Sequence, residues 1–412
     1  MANSLSTRKP IYYGWVNLAI AALAMVGTLP GRTQGLGLVT EPLLAELQID
    51  RVTFATVNLW ATLIGAAFCL PCGRLLDRFG SRAVLTVVAL GLGMSVLAMR
   101  SMEALAAVIV TVTLTRGFGQ SALSVVSLAL VGKWFARRLN VAMGVYALLV
   151  SVGFVMAFSA VGPAVLKFGW RAAWSGIGWF LLVVLAPIAW FLVRDHPPVG
   201  ERDAESVDLG TGLTLGEALR SPAFWMFALS SSVFGLAYSG ISLFNQSILE
   251  QRGFDATVFY TVLAVSTGVG LLANFGGGWL ATVWPIQRVT GLGMAVLAVA
   301  LFALPVVKSY TQVMLYGIAM GIAGGVVTVV FFSVWGQVFG RLHLGRIQGF
   351  AQMMTVLGSA VGPLLLAETL RITGSYDLMF NGLAAVVVLL GIGSWLVPLP
   401  TLPPSLLRAV GA

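Results

Sequence analysis

The sequence predicts an all-α membrane protein with twelve transmembrane helices in two pseudo-symmetric six-helix bundles. Hydrophobic residues make up 58% of the 412 residues, and charged residues make up only 9%. Apolar runs recur from Tyr13 to Val397, and a chain of this length accommodates about twelve helical spans of ~20 residues each. One long polar segment, residues 194–220, divides these runs into two sets.

The predicted spans follow one another through short connections. The first six are expected at 13–40, 54–72, 83–99, 104–130, 140–165 and 172–193. The last six are expected at 223–248, 256–282, 289–306, 313–336, 347–367 and 378–397. The chain should therefore form an N-terminal bundle over 1–193, a linker with a short amphipathic helix over 194–220, and a C-terminal bundle over 221–412.

The basic residues predict the orientation of the spans. Lys and Arg outnumber Asp and Glu, 24 to 15, and they concentrate at the termini and in the even-numbered connections. Because basic loops remain on the cytoplasmic side, both termini and the linker should be cytoplasmic in a multi-pass protein of the cell membrane, most simply a bacterial inner membrane. The basic clusters are short and lie between apolar runs, so the net charge of +9 does not indicate nucleic-acid binding.

The two halves carry a matching sequence. Ser159-Ala-Val-Gly-Pro163 in the fifth predicted span recurs as Ser359-Ala-Val-Gly-Pro363 in the eleventh, and each follows a basic loop. Equivalent positions in two six-span halves indicate duplication. A substrate site at the interface of two repeats is a transporter architecture, whereas a channel is less consistent with duplicated halves.

Two arginines, Arg32 and Arg116, lie within apolar stretches, whereas Asp and Glu are confined to connections and span ends. A charge at bilayer depth is costly unless it faces a cavity, a partner or an anionic ligand. We therefore predict that the protein binds a negatively charged group. Two alternatives remain: Arg32 lies at the outer surface if the first span ends near Leu29, and Arg116 acts as a packing device bonded to backbone carbonyls.

The loop after the second span, Gly73-Arg-Leu-Leu-Asp-Arg-Phe-Gly-Ser-Arg82, resembles the signature loop of the major facilitator superfamily. The resemblance implies the major facilitator fold and a conformational latch formed by Gly73, Asp77, Arg78, Gly80 and Arg82. Asp77 would accept hydrogen bonds from a helix N-terminus or a neighbouring arginine, and Gly80 would permit a tight turn. The equivalent loop of the second half, 278–288, lacks the aspartate.

Three further segments resemble the branch that contains monocarboxylate transporters and oxalate/formate antiporters. They are Tyr12-Tyr-Gly-Trp15, the run from Lys133 to Gly144, and Arg194-Asp-His-Pro-Pro198. The resemblance implies a secondary transporter of small organic anions, functional as a monomer in the lipid bilayer, without a cofactor and not an enzyme. It works by alternating access, with proton symport or exchange as the coupling.

Arg32 follows Pro30 where monocarboxylate transporters have a functional lysine soon after a proline. Arginine can bind a carboxylate through two parallel hydrogen bonds and stays charged, which favours a fixed anion anchor. The chain departs from the branch at Asn274, where an arginine is common, and at Asn245, where a histidine is common; its eleventh span lacks a lysine. A singly charged or largely neutral solute is therefore expected over a dianion.

Polar side chains within the spans complete the candidate site, although each on its own is more often an interhelical hydrogen bond than a ligand contact. The predicted substrate-binding residues are Arg32, Gln34, Asn58, Arg116, Gln120, Tyr238, Asn245 and Asn274. No metal site or membrane-embedded enzyme is indicated.

Whether transport is coupled to proton movement is predicted from the acidic residues and histidines that the predicted spans lack. Proton relays in transporters are built from Asp, Glu or His, and the nearest candidates, Glu41, Glu250 and Asp255, are placed near the outer ends. Exchange or facilitated transport is therefore favoured over a dedicated proton relay. Proton symport of a weak acid remains open, as does transport of a dicarboxylate, an inorganic anion or a neutral compound.

Overall fold

The fold was taken from a computed structural model that describes residues 13–135, 139–195, 212–340 and 344–400, without the side chains at positions 70, 74, 77, 139–141, 344 and 346. Within these ranges every regular element is helical, and a single isolated bridge joins Gly212 to Gly340. The predicted all-helical membrane fold is confirmed. Most of the predicted linker, residues 196–211, lies outside the described ranges.

The first half contains six spans, several of them interrupted. The first span comprises Gly14–Gly27, a 3-10 turn at Leu29–Gly31 and Thr33–Gly37, and the helix Thr40–Leu47 follows it. The second span begins with Arg51–Ala66, and Cys69–Ala98 contains the end of the second span and the third. The fourth comprises Leu105–Thr115, a π-helical segment Arg116–Leu123 and Ser124–Trp134. The fifth is Leu139–Phe168, and the sixth is Trp170–Trp179, Phe180–Leu185 and Ala186–Leu192.

The second half is more regular. Its spans are Pro222–Glu250, Ala256–Val283, Ile286–Ala303, Tyr310–Phe339, Leu344–Thr373 and Asp377–Leu396. In the part of the chain that the structure describes, ten helices are long and apolar enough to cross a membrane. The other two predicted spans, the first and second, begin with helices of 14 and 16 residues.

The first predicted span, 13–40, is not one continuous helix. Pro30 has no N–H group to donate and disfavours a continuous α-helix. Gly31 lies so close to the fourth span that a Cβ there would be 2.3 Å from the carbonyl oxygen of Thr115. The chain therefore breaks at Leu29–Gly31 and resumes as a helix at Thr33, with Arg32 in extended conformation between the two segments.

The contacts between the two halves described here lie toward one end of the molecule. We call the end that holds Asp195 and Leu213 the linker face, and the end that holds Thr40–Leu47 the opposite face. At the opposite face, Tyr260 donates a hydrogen bond to the carbonyl of Leu38 at 2.9 Å, and a Cβ on Gly162 would lie 2.7 Å from the Tyr260 ring. Nearer the linker face, a Cβ on Gly144 of the same fifth span would meet no described atom within 4 Å. The fifth span thus diverges from the other half toward the linker face.

The described part of the linker packs against the second half. Leu215–Arg220 begins with a capping box in which Thr214 and Glu217 bond each other's backbone N–H groups. Leu213 donates its N–H to the carbonyl of Phe339 at 2.8 Å, and Ala218 is fully buried. This helix is therefore fixed to the end of the tenth span.

Gly37 offers a test of the contact between the two halves at the opposite face. A Cβ there would lie 2.0 Å from the carbonyl oxygen of Ser242 in the other half. We predict that Gly37→Ala shifts the protein away from the conformation closed at the opposite face, because the methyl group cannot fit between the two backbones. The measurement is the alkylation rate of Ser242→Cys, a position 8% exposed in the structure, in a background with Cys69 and Cys72 replaced by Ser.

Gly144→Ala is the matched control, because its methyl group enters open space. Faster labelling in Gly37→Ala but not in Gly144→Ala is expected. Equally slow labelling in both variants would contradict the closure.

Candidate functional site

A cavity of about 270 Å³ lies between the two halves. The first and fifth spans supply its wall on one side, including Arg32, Gln34 and Phe154. The seventh, eighth and tenth spans supply the other side, including Tyr238 and Asn274. A cavity at the junction of two repeats is the position where transporters of this architecture bind their substrates.

Arg32 is held in the cavity wall by neutral groups. Its Nε donates to Thr28 Oγ1 at 2.7 Å, and its Nη2 lies 2.9 Å from Met25 Sδ and 3.5 Å from Ser124 Oγ. Among the described residues, none accepts a hydrogen bond from Nη1. The guanidinium of this cavity-lining residue is therefore oriented by its own half and retains unused donor capacity.

No described carboxylate compensates the charge of Arg32. The ion pairs of the described chain are Arg51–Glu41, Arg171–Glu46, Arg252–Asp377 and Arg371–Glu368. None of these residues lines the cavity. A buried cation without a counter-ion is costly, and an anionic ligand is one of the few ways to offset that cost.

Arg116 is buried and does not line the cavity. Its Nη1 donates to the carbonyl of Gly31 at 2.9 Å, to Thr33 Oγ1 at 3.1 Å and to Gln120 Oε1 at 2.9 Å, and its Nη2 donates to Asn58 Oδ1. This arrangement corresponds to the packing alternative for Arg116. It fixes the break in the first span, so Arg116 acts on the cavity by positioning the segment that carries Arg32.

The predicted site residues therefore divide into three groups. Arg32, Gln34, Tyr238 and Asn274 come together in the cavity wall. Asn58, Arg116 and Gln120 form the buried network behind it. Asn245 is buried in the seventh span outside the cavity, and its Oδ1 has no hydrogen-bond partner among the described residues.

The predicted latch is only partly described. The side chain of Asp77 lies outside the described part of the structure, so its role as an acceptor stays a prediction. Gly80 forms the expected turn, with φ +78°. The carboxylate of Asp195 accepts hydrogen bonds from the N–H groups of Ser81 at 2.5 Å and Arg82 at 3.3 Å. A carboxylate at the start of a helix is stabilised by the free N–H groups and the helix dipole.

Asp195 was not among the predicted latch residues. Two arginines beside it lie over aromatic rings. The guanidinium of Arg82, whose backbone N–H donates to Asp195, lies 4.6 Å from the Trp190 ring centre, and that of Arg194, which precedes Asp195 in the chain, lies 3.9 Å from the Tyr13 ring centre. The end of the sixth span is thereby attached to the first and third spans. The Arg194-Asp-His-Pro segment of the sequence was the available signal for this contact.

Sequence reasoning also missed the aromatic residues of the cavity. Phe154, Phe158 and Phe234 line it together with the predicted Tyr238. The spacings Phe154 to Phe158 and Phe234 to Tyr238 are both four residues, which places each pair on one helical face. That spacing was visible in the sequence, but it does not show which face points into the cavity.

Comparisons with known proteins agree with this architecture. A sequence profile of the Major Facilitator Superfamily matches residues 20–315, well over half of the chain. The chain belongs to the Major Facilitator Superfamily. Similar curated proteins include monocarboxylate transporter 13 of Bos taurus, 27% identical over 339 residues that cover 78% of this chain and 75% of the relative. Monocarboxylate transporter 11 of Mus musculus is 26% identical over 394 residues, which cover 89% and 83%.

Solved structures share the fold. A bacterial homologue of the human lysosomal transporter Spinster, in an inward-facing and unoccupied conformation, aligns with a TM-score of 0.71 at 16% identity and covers 94% of each chain. The nucleoside transporter NupG aligns with a TM-score of 0.71 at 14% identity, covering 92% of this chain and 98% of its own. The predicted resemblance to the superfamily and to monocarboxylate transporters is confirmed.

The buried network around Arg116 predicts that Asn58 contributes more to thermal stability than Asn274 does. Asn58→Leu removes an acceptor of the fully buried Arg116, and an unsatisfied donor of this kind costs about 1–3 kcal/mol. We expect thermal unfolding in detergent to begin at a clearly lower temperature. Asn274→Leu is the control, since Asn274 faces the cavity and should leave the unfolding temperature nearly unchanged. Equal unfolding temperatures for both variants would show that Arg116 does not depend on Asn58.

Proposed function

We propose that this superfamily member is a secondary active transporter of a small, monocarboxylate-like organic anion across the cell membrane, acting as a monomer by alternating access. The observation that carries the proposal is Arg32, an arginine that lines the cavity between the halves with no described carboxylate partner. The guanidinium fork matches the geometry of a carboxylate. The names of the curated relatives support the same substrate class.

Alternating access is supported by where the halves meet. Close backbone contact between Gly37 and Ser242 shuts the opposite face, while the fifth span diverges toward the linker face. The first and seventh spans are both irregular near this contact, at Leu29–Gly31 and at Phe244 (φ −114°, ψ 17°). Rocking of the halves about such points would expose the cavity to each face in turn. With the termini and linker cytoplasmic, the structure corresponds to the state closed to the outside.

Among the described residues, Arg32 is the one charged side chain that lines the cavity, which favours a monoanion. The other lining positions where a second cation is common in this branch hold neutral groups, as at Asn274. Dicarboxylates, inorganic anions and neutral compounds are therefore less well matched, and exchange or facilitated movement of a monoanion remains compatible with the same site.

Arg32 provides the direct test. We predict that Arg32→Gln abolishes or greatly weakens transport, because the cavity loses the one charged donor that its described lining provides, while expression and folding remain near normal. The measurement is counterflow of a radiolabelled monocarboxylate into proteoliposomes, together with binding to the purified protein.

Arg32→Lys is the matched control, because it keeps the charge and loses the planar fork. It should retain part of the binding that Arg32→Gln loses. Unchanged substrate affinity in Arg32→Gln would contradict the proposal.

A second candidate function, proton symport of a weak acid, is favoured by the environment of Glu41. Glu41 lies in the Thr40–Leu47 helix at the opposite face, but its side chain is only 12% exposed and its Oε2 lies 2.5 Å from Arg51 Nη2. Its Oε1 is buried without a described partner, and Glu250 from the other half lies close enough to repel it. Burial raises the pKa of the Glu41 carboxyl above its ordinary value, with Glu250 acting in the same direction and Arg51 against it.

The raised pKa predicts how pH affects the opposite face. Opening that face would hydrate Glu41 and return its pKa toward the ordinary value, so the closed state binds the proton more tightly and low pH favours closure. Alkylation itself slows at low pH because the thiolate is the reacting form, so each labelling rate of Ser242→Cys is divided by that of the same cysteine in the unfolded protein at the same pH. This ratio should fall as pH falls, and Glu41→Gln should remove most of that dependence. Arg51, Glu250 and Tyr376 are the charged or titratable neighbours. The same pH dependence in Glu41→Gln would assign it to one of them.

A further inference from the structure

Two stacked aromatic pairs face the cavity, one from each half. Phe154 and Phe158 of the fifth span have ring centroids 5.9 Å apart with an interplanar angle of 21°. Phe234 and Tyr238 of the seventh span have centroids 5.2 Å apart with an angle of 19°. Aromatic residues spaced by four along a helix commonly serve core packing, but all four of these line the open cavity. We call them the aromatic clamp.

The anion anchor adjoins the aromatic clamp. The guanidinium carbon of Arg32 lies 5.2 Å from the ring centroid of Phe154, within the range of a cation–π contact. A ligand whose carboxylate binds Arg32 therefore has its next atoms beside an aromatic surface. Because the two pairs belong to different halves, one flat apolar group could contact both when the cavity is closed around it.

The size of the cavity exceeds what a very short acid needs. Its volume of about 270 Å³ corresponds to roughly nine water molecules at ~30 Å³ each. The remaining polar lining is neutral and includes Asn274, Thr267 and Thr328. These groups can accept or donate hydrogen bonds to a neutral substituent but offer no counter-charge to an ammonium group.

The glycine-rich part of the wall leaves space beside the rings. Gly321 and Gly325 are required by close packing, since a Cβ on either would lie 2.4 Å from a carbonyl oxygen of the eighth span. Gly324 is different: a Cβ there would meet only the edge of Phe234, at 3.7 Å. A methyl group would therefore fit at Gly324 in contact with the edge of Phe234, so the glycine leaves that space beside the ring without being dictated by helix packing.

From these observations, and resting on the proposed function, we propose that the preferred substrate is a monocarboxylate with a single aromatic ring on a short link and no amino group. The carboxylate binds Arg32, and the ring stacks within the aromatic clamp. Amino acids are disfavoured because no carboxylate lines the cavity in the described part of the chain, and dianions are disfavoured because Arg32 is its one described cation.

The proposal is tested by binding of matched acids to the purified full chain, measured by calorimetry in one detergent. The probes are 3-phenylpropionate, propionate, phenylalanine and 3-phenylpropanamide. We expect 3-phenylpropionate to bind at least about tenfold more tightly than each of the other three, since ring burial and aromatic contacts add to the carboxylate contact. Loss of its binding in Arg32→Gln would exclude simple partition into the micelle.

Variants of the aromatic clamp separate the ring contact from the anion contact. Phe158→Leu and Phe234→Leu, at lining positions with no described contact to Arg32, should each weaken 3-phenylpropionate binding by about three- to tenfold while changing propionate binding by less than about twofold. Phe302→Leu, in the ninth span outside the cavity, is the control and should change neither.

The outcomes distinguish this inference from the proposed function. Equal binding of propionate and 3-phenylpropionate, or an equal loss of both in the clamp variants, would overturn the aromatic substrate while leaving an anion transporter. Tighter binding of phenylalanine would overturn the exclusion of amino acids. If no carboxylate binds and none is transported, the proposed function itself is wrong, and this inference fails with it.

Discussion

The cost of holding a guanidinium at membrane depth is the constraint on which the rest of the structure depends. The chain places two arginines there and pairs neither with a described carboxylate. Arg116 donates from its two terminal nitrogens to four neutral acceptors, whereas its buried Nε has no described partner, and the residue becomes part of the scaffold. Arg32 lines the cavity, is held by three neutral contacts through Nε and Nη2, and has no described acceptor for Nη1. The two residues are therefore coupled: Arg116 fixes the broken segment that carries Arg32, the proposed anchor for the ligand.

The same break connects the site to the movement of the halves. Leu29–Gly31 turns the chain so that Arg32 faces the cavity, and the segment that follows carries Gly37 and Leu38 into contact with the other half. A ligand on Arg32 is thus bound a few residues from the contact that closes the opposite face. Binding that differs between the open and closed states would shift the population between them, which is the requirement for coupling transport to binding.

Much of the fold followed from the sequence because it depends on composition and periodicity. Apolar runs of membrane length, the polar segment at 194–220 and the buried arginines predicted the spans and the charged site. The first span was predicted as one helix, and its break depends on contact with Thr115 that no local pattern reports. The π-helical segment at Arg116–Leu123 likewise depends on packing, since it turns Arg116 toward Gly31 rather than toward the cavity. The four-residue spacing within each pair of the aromatic clamp was visible in the sequence. Which helix face points into the cavity is set by tertiary packing.

The central claim is that Arg32 is the anchor for the substrate's negative group, with the ring of the substrate in the aromatic clamp. The most direct measurement is a crystal structure of the full chain with 3-(4-iodophenyl)propionate, in which anomalous scattering locates the iodine atom. The account predicts the carboxylate on Arg32 and the iodine among the side chains of the fifth and seventh spans. A carboxylate bound elsewhere, with Arg32 left facing an unoccupied cavity, would contradict it.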